Sequence, residues 1–221
     1  MRTVGTIALS EDACSRDLRG LQLALRMIRH EARTQTISAW TLVSPKRIRS
    51  LSLRFRRQAS NTELSRHRGP PPTKLSNLLK SPHLNLEFSA IAGLCQWIGV
   101  LPKEAVPQAA KHLPGIERGE RLCYTLELFQ AIVPYSRVTL DQLILLVTTL
   151  AEQTEWQLGA CHECSGAILI DLLGSKSTLC ASCEREQRKS RVESQEGAET
   201  AFEPLPELDG GSPEALQQSL F

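Results

Sequence analysis

The chain has 221 residues and a formal net charge of +2, and 41% of its residues are hydrophobic but only 5% are aromatic. This length allows one large domain or two small ones, with a core built mainly from aliphatic side chains. The longest apolar run, Leu143 to Val147, is far shorter than the roughly 18 residues that span a bilayer, and the N-terminus lacks a secretory pattern. We therefore expect a soluble, cytoplasmic protein with no membrane partner.

Charge is distributed unevenly along the chain. Residues 1 to 80 carry 16 Lys and Arg against 5 Asp and Glu, whereas the remainder carries 10 against 19. Between Thr34 and Lys80 the only acidic residue is Glu63. A solvated charged face usually mixes both signs, so the basic part of the chain predicts contact with a polyanion such as nucleic acid.

Three helices are predicted in this basic part. The first begins at Ser15, a residue type that favours the N-cap, and ends near Ala32, with apolar side chains at helical spacing: Leu18, Leu21, Leu25 and Ile28. The second covers Thr34 to Thr41. The third begins at Ser44-Pro45, because serine caps a helix and proline favours its first position.

The second and third helices fit a helix-turn-helix frame from Thr34 to Leu53. Ile37 and Val43 can pack inward, and the turn falls near Leu42, where glycine is more usual. The third helix places three apolar residues on one face: Ile48, Leu51 and Phe55. Many amphipathic helix pairs share this spacing. The basic residues of the third helix are therefore a stronger indication of DNA binding than the spacing itself.

The third helix is predicted to contact DNA through six basic residues. Side chains near the N-terminus of a recognition helix reach base edges, and the free amides there suit phosphate; this end carries Lys46, Arg47 and Arg49. Arg54, Arg56 and Arg57 follow one or two turns later and are expected to contact the backbone. Whether Arg47 or Arg49 contacts bases or only phosphates stays open at this point.

The middle of the chain is predicted to be helical. A connector from Arg68 to Lys74 contains three consecutive prolines, which favour an extended conformation. Helices are then expected from about Leu86 to Trp156, interrupted at Leu101-Pro102, Pro114-Gly115 and Pro134. Thr139 and Gln142 have the spacing of a capping box at the start of a helix over Leu140 to Trp156. No local signature of a phosphate loop, a histidine metal pair or a Ser-His-acid site occurs, so we expect no enzymatic activity.

Two C-x2-C pairs predict a zinc site. The pair Cys161 and Cys164 is separated from the pair Cys180 and Cys183 by 15 residues, a spacing typical of zinc proteins. Four thiolates can surround one zinc ion and leave no open coordination position, so we expect one structural zinc per chain. His162 lies between two of these ligands and could replace one of them.

The local sequence also suggests how the two pairs meet. Gly166 predicts a tight turn after the first pair. Ala167 to Leu173 is apolar and Gly174-Ser175 is turn-like, which predicts a short β-hairpin between the pairs. The other three cysteines have no partner at ligand spacing and are interpreted as ordinary thiols: Cys14, Cys95 and Cys123.

The expected fold is therefore mostly α, with a four-cysteine zinc module containing a short β-hairpin and with a disordered tail. The predicted divisions are a basic helical region with a helix-turn-helix-like segment and proline-rich connector at 1–80, a helical middle region at 81–158, the zinc-binding module at 159–191 and the tail at 192–221. The tail contains seven acidic residues and no basic one, a composition that cannot bury enough apolar surface to order itself.

This order of features resembles the FlhC family, the zinc-containing C subunit of the bacterial flagellar master transcriptional activator. The matching elements are Ala32-Arg33 leading into Ser44-Pro45-Lys46-Arg47-Ile48, the Arg68 to Lys74 connector, and the four-cysteine block followed by Arg185 to Arg191. Together they span roughly residues 18 to 191. The resemblance implies a mostly helical zinc protein without enzymatic activity. It also implies a hetero-oligomer with a small helical FlhD-like subunit that binds promoter DNA and recruits RNA polymerase.

Two alternatives remain at this point. Similar proteins carried on conjugative mobile elements activate transfer genes instead of flagellar genes. A different class, an RNA-binding zinc-ribbon protein, would share the thiolate site and the basic patch. The Ser44-Pro45 capped helix favours duplex DNA, because a B-form major groove admits a helix and an A-form RNA groove does not.

Overall fold

The structure is a computed structural model that describes residues 5–58, 72–102, 114–174 and 178–199. These residues form eight α-helices and one two-stranded sheet, so the prediction of a mostly α fold with a short β-hairpin is confirmed. The elements in chain order are α1 Gly5–Arg29, α2 Thr34–Thr41, α3 Pro45–Gln58, α4 Leu75–Leu78, α5 Pro82–Ile98, α6 Ile116–Ile132, α7 Leu140–Glu152, β1 Trp156–Ala160, β2 Ala167–Asp171 and α8 Ala181–Glu199. Within the described ranges, every helix is too short or too polar to cross a bilayer.

Helix α1 is longer than the sequence pattern predicted. It begins at Gly5, so Ser15 lies inside the helix and is not its N-cap. No Gly or Pro occurs between Thr6 and Ser15, and a helix without such a break extends past a potential capping residue. The inward face is formed by Leu23, Ala24, Met27 and Ile28, all of which are buried.

Helix α2 has its predicted limits, and α3 begins where predicted and ends at Gln58. α2 covers Thr34–Thr41. The residue after it, Leu42, has a left-handed backbone conformation with φ of 60°. α3 begins at Pro45, and the amide of Arg47 donates to the Ser44 hydroxyl oxygen at 3.4 Å. Ser44 therefore caps α3 as its sequence predicts.

Helix α1 lies against α2, α3 and α6. Two arginines of α1 bind two glutamates of α6: Arg19 contacts Glu120, and Arg26 contacts Glu127 with nitrogen–oxygen distances of 2.8 and 2.5 Å. Both partners advance by seven residues from one pair to the next, so the two helices run in the same direction and present matching rows of charge.

The predicted interruptions in the middle region are confirmed. α5 ends at Ile98 before Pro102, α6 begins at Ile116 after Pro114-Gly115, and α7 follows Pro134. Thr139 and Gln142 form the predicted capping box: the Gln142 amide donates to the Thr139 hydroxyl at 3.3 Å, and the Thr139 amide donates to the Gln142 side-chain oxygen at 3.0 Å.

The prediction that α7 continues to Trp156 is wrong. The helix ends at Glu152 because Gln153 adopts a left-handed conformation with φ of 52°. Trp156 instead begins β1 and is buried in the main core. The apolar periodicity could not distinguish these outcomes, since a buried tryptophan suits either a helix face or a half-buried strand.

Strands β1 and β2 form an antiparallel hairpin that packs on α5. Trp156 pairs with Asp171 and Ala160 with Ala167. A side-chain carbon added at Gly93 of α5 would lie 3.0 Å from the Ala167 methyl group, so glycine at this position allows the helix and the hairpin to approach closely.

One hydrophobic core extends from α1 to the hairpin. It includes Leu23 of α1, Leu75 of α4, Trp156 of β1 and Leu169 of β2. Residues before and after positions 80 and 158 contribute to this same core. The divisions placed at these positions stay predictions.

The chain divides into two compact units, residues 1–183 and 184–221. In the second unit the described residues belong to α8, where Arg188 binds Glu184 one helical turn earlier at 2.6 Å. α8 continues to Glu199, so helical structure extends eight residues beyond the limit expected at Arg191. Residues 200–221 of the acidic tail lie outside the described part, as do residues 68–71 of the proline-rich connector; Lys74 at the end of that connector is extended.

Candidate metal centre and nucleic-acid interface

The first cysteine pair occupies the turn of the β-hairpin. Cys161 follows β1 directly, and Cys164 lies in the loop that leads to β2. The amide of Cys161 donates to the Gly166 carbonyl at 2.8 Å, and the amide of Ser165 donates to the Cys161 carbonyl at 2.9 Å. The hairpin therefore encloses the first pair and does not lie between the two pairs as predicted.

The residue that reverses this turn is Ser165, not the predicted Gly166. Ser165 has a φ of 57°, the left-handed value that closes the loop. Gly166 meets a different requirement, because a side-chain carbon there would lie 3.3 Å from the Cys164 sulfur. The glycine thus leaves room for the cysteine sulfur, which a backbone-turn argument from sequence does not reveal.

The second pair lies at the start of α8. Cys180 precedes the helix and Cys183 is in its first turn. The amide of His162 in the first turn donates to the Thr178 carbonyl at 3.0 Å, which joins the hairpin to the segment before Cys180. All four sulfur atoms lie within 4.8 Å of one another, so the predicted ligand set is assembled.

The four sulfurs are close enough together to hold one metal ion. Metal–sulfur bonds of about 2.3 Å place the sulfurs of a regular tetrahedron about 3.8 Å apart. The sulfurs of Cys164 and Cys180 are 3.7 Å apart. Cys161 is buried, Cys180 and Cys183 are half-buried and Cys164 is exposed, so the site lies at the surface with one side closed by protein.

Backbone amides point at the sulfurs and favour thiolates. The amide of Cys180 donates to the Cys161 sulfur at 3.2 Å, and the amide of Cys183 donates to the Cys180 sulfur at 3.4 Å. Backbone hydrogen bonds from Cys164 and Cys180 lower the pKa of the Cys161 thiol to about 6. The hydrogen bond between the Cys183 and Cys180 side chains raises the pKa of Cys183. Four close sulfurs become anionic together when a cation lies among them, which is the chemistry of a thiolate metal site.

The remaining cysteines and His162 lie outside this cluster. Burial raises the pKa values of the Cys95 and Cys123 thiols to about 12, so both are unreactive core residues. Cys14 is exposed on α1. His162 is exposed in the hairpin turn and is not one of the four clustered ligands.

The α2–α3 turn is held by side-chain contacts as well as by the backbone. The Ser38 hydroxyl donates to the Val43 carbonyl at 2.9 Å, and the amide of Val43 donates to the Thr41 hydroxyl at 3.3 Å. Ile37 and Ile48 are almost fully buried. Val43, which lies between them in the sequence, is also buried. The helix pair thus packs on its predicted inward residues, and its turn contains the left-handed Leu42.

Helix α3 presents its basic residues to solvent. All six predicted DNA contacts are exposed: Lys46, Arg47, Arg49, Arg54, Arg56 and Arg57. α3 contains no acidic residue, and within the described ranges none of the six forms an ion pair. Arg29 of α1 lies over the ring of Phe55 at 5.9 Å from its centre, which fastens the far end of α3 to α1 and adds a further cation.

The sequence prediction named only the cations of α3, but uncharged side chains of this helix are exposed as well. Among these, Ser50 and Leu53 face away from the core. The helical period predicts the exposure of these two residues. They lie two and five residues after the buried Ile48, which places them on the opposite face of the helix.

No protein-family model matches this chain, and no curated protein matches it.

Proposed function

We propose that the protein binds duplex DNA through the α2–α3 pair and acts as a transcription activator. The observation that supports this function best is α3 itself: a capped helix anchored by Ile48, with six exposed cations and no acidic side chain. A major groove admits a helix of this size, and basic flanks can neutralise phosphates on both sides of the groove. If each of the six cations contacted one phosphate, the logarithmic salt dependence of binding would have a slope of about −5 per chain.

The metal in this proposal is one zinc ion with a structural role. Zinc is the ion that four thiolates hold most often in closed tetrahedral sites, and the set Cys161, Cys164, Cys180 and Cys183 leaves no position for substrate. The ion links the hairpin turn to the start of α8, two segments that would otherwise be joined by few backbone hydrogen bonds.

The resemblance to the FlhC family supplies the finer proposals. The protein would act in the cytoplasm as half of a hetero-oligomer with a small helical FlhD-like subunit, bind flagellar promoters and recruit RNA polymerase. The alternative within the same class is activation of the conjugative transfer genes of a mobile element. The genes beside this one distinguish the two, because a neighbouring FlhD-like gene would lie among either flagellar or transfer genes.

Substitution of Arg47 and Arg49 by alanine tests the DNA-binding proposal. Both side chains are exposed, so the double variant should fold normally while it weakens duplex binding by about tenfold or more and makes the salt slope less negative by about 2. Gel-shift titrations of the full-length, zinc-loaded chain at several salt concentrations measure both quantities.

The matched control is the double variant Arg188→Ala and Lys189→Ala on α8, which removes the same charge elsewhere. The duplex affinity of this control should stay within about twofold of that of the unaltered chain. A small decrease is expected because the two lost charges also attract DNA nonspecifically. Equal losses in the two double variants would mean that net charge, and not the α3 surface, sets the affinity. Unchanged affinity of the Arg47 and Arg49 variant would move the binding surface elsewhere. Tighter binding to structured RNA than to duplex DNA at matched salt would favour the zinc-ribbon alternative.

A further inference from the structure

The exposed side chains of α3 fall into three chemically different rows. Ile48 and Phe55 define the inward direction of this helix. At about 100° per residue, four residues lie within about 40° of the opposite direction: Lys46, Ser50, Leu53 and Arg57. About a quarter turn to one side lie Arg47 and Arg54, and about a quarter turn to the other side lie Arg49 and Arg56. We call the first set the outward row and the two pairs the flanking arginines.

We infer that Leu53 and Lys46 of the outward row select the DNA sequence, Leu53 by contact with a thymine methyl group and Lys46 by hydrogen bonds to a guanine. This inference rests on the proposed function. When a helix lies in a major groove with its buried side facing the protein, its outward row meets base edges and its flanks face the two phosphate walls. The flanking arginines then supply affinity, and the outward row supplies discrimination.

Leu53 is the residue that the charge pattern does not explain. Its side chain is 56% exposed, whereas the other exposed side chains of α3 are basic or polar apart from Pro45 at the start of the helix. A leucine cannot bind phosphate, and the apolar feature that a major groove offers is the thymine methyl group. Single exposed leucines are ordinary on protein surfaces, and Leu18 on α1 is exposed to the same 56%. Leu18 therefore provides a control of matched chemistry and exposure.

Lys46 stands at the start of the same row. Its ammonium group can donate to the O6 and N7 atoms of guanine, the usual partner of a basic side chain in the major groove. Seven residues separate Lys46 from Leu53, which is about 10 Å along the helix axis or about three base-pair steps. The structure thus favours a site with a guanine and a thymine about three base pairs apart.

The experiment uses the full-length, zinc-loaded chain. A preferred duplex is first selected from a random pool, and each thymine in it is then replaced in turn by deoxyuridine, which lacks only the methyl group. The unaltered chain and Leu18→Ala should each lose about fourfold affinity at one thymine, the equivalent of one buried methyl group. Leu53→Ala should bind thymine and deoxyuridine equally at that position and keep the same salt slope. Lys46→Ala should lose its preference for guanine and keep the thymine effect.

The possible outcomes separate the two proposals. If the unaltered chain binds duplex DNA but shows no deoxyuridine effect, or if Leu53→Ala retains the full effect, the inference is overturned while the proposed function stands. If the unaltered chain does not bind duplex DNA, the proposed function fails and the inference fails with it. Loss of the thymine effect in Leu53→Ala alone, with Leu18→Ala unchanged, is the result that supports the assignment.

Discussion

Leu42 occupies a backbone conformation that ordinarily favours glycine. Its φ is 60° and its side chain is 81% exposed, so little packing offsets the strain. An L-residue in this region costs roughly 1–2 kcal/mol, because its side-chain carbon approaches the following carbonyl oxygen. The left-handed residue turns the chain from α2 into α3 within three residues. This short turn positions the surface of α3.

Replacement of Leu42 by glycine should therefore stabilise the protein. We expect the free energy of unfolding to rise by about 1 kcal/mol, since glycine adopts this conformation without the steric cost. Urea denaturation followed by circular dichroism measures the change. Leu18→Gly, inside α1, should instead lower the free energy of unfolding by about 1 kcal/mol. A destabilised Leu42→Gly variant would mean that the turn does not adopt the left-handed geometry.

At the scale of elements, the contact between α1 and α6 depends on charge as well as on apolar packing. Glu127 accepts two hydrogen bonds from Arg26 and lies 2.9 Å from the His30 ring nitrogen. The Arg26 hydrogen bond is the main cause that lowers the pKa of Glu127 from 4.5 to about 2, and the His30 contact acts in the same direction. The ionised carboxylate is therefore favoured in the folded state.

The sign of this pKa shift determines a pH dependence. A carboxylate with a depressed folded pKa stabilises the protein above its unfolded pKa, and this contribution is lost as pH falls from about 4.5 towards 2. The Glu127 side chain is 41% exposed, so solvent screening limits the contribution to about 1 kcal/mol. Glu127→Gln should be less stable than the unaltered chain by that amount at pH 6, and the difference should vanish near pH 2.

Chemical denaturation of both proteins across this pH range measures the difference and cancels effects that they share, such as metal release at low pH. Glu117→Gln is the control on the same helix, because Glu117 forms a surface pair with Arg121 and is 71% exposed. It should change the stability by less than about 0.5 kcal/mol at every pH. A Glu127→Gln difference that persists unchanged below pH 2 would exclude the carboxylate as its source.

At the scale of the whole molecule, the four-cysteine cluster is continuous with the main core. The hairpin that carries Cys161 also contributes Trp156 and Leu169 to the core, and both strands pack on α5. Loss of the metal should therefore affect more than the cysteine loop. Without an ion, the four sulfurs lack the charge that would hold them together, and the hairpin keeps its backbone hydrogen bond to Thr178 but loses the metal link to the start of α8.

If the cluster holds the proposed zinc ion, Cys180→Ser should abolish zinc binding and lower the free energy of unfolding by several kcal/mol, because structural zinc contributes directly to folding. Zinc content by mass spectrometry should fall from one ion per chain to none, and thermal unfolding should begin at a lower temperature. Cys14→Ser removes an exposed cysteine outside the cluster and should keep both the ion and the stability. Equal thermal stability of Cys180→Ser and the unaltered chain would remove the structural role.

Features encoded by neighbouring residues were predictable from sequence. The Ser44 cap of α3 and the Thr139 capping box depend on side chains within a few residues of the backbone they bind. The cluster of four cysteines was predictable because two C-x2-C pairs about 15 residues apart are typical of zinc sites. The start of α1 was mispredicted, since capping residues mark helix ends only where the helix cannot continue.

The possible metal ligands and the basic helix could be predicted from the chain alone, because both follow from side-chain chemistry and local spacing. Long-range packing set the end of α7 at Glu152, placed Trp156 in a strand and formed the hairpin around the first cysteine pair. It also decided that one core unites the helices with the metal module and that Leu53 faces away from the protein beside the cations. Those outcomes depend on contacts between residues far apart in the chain, whose packing energies outweigh local preferences.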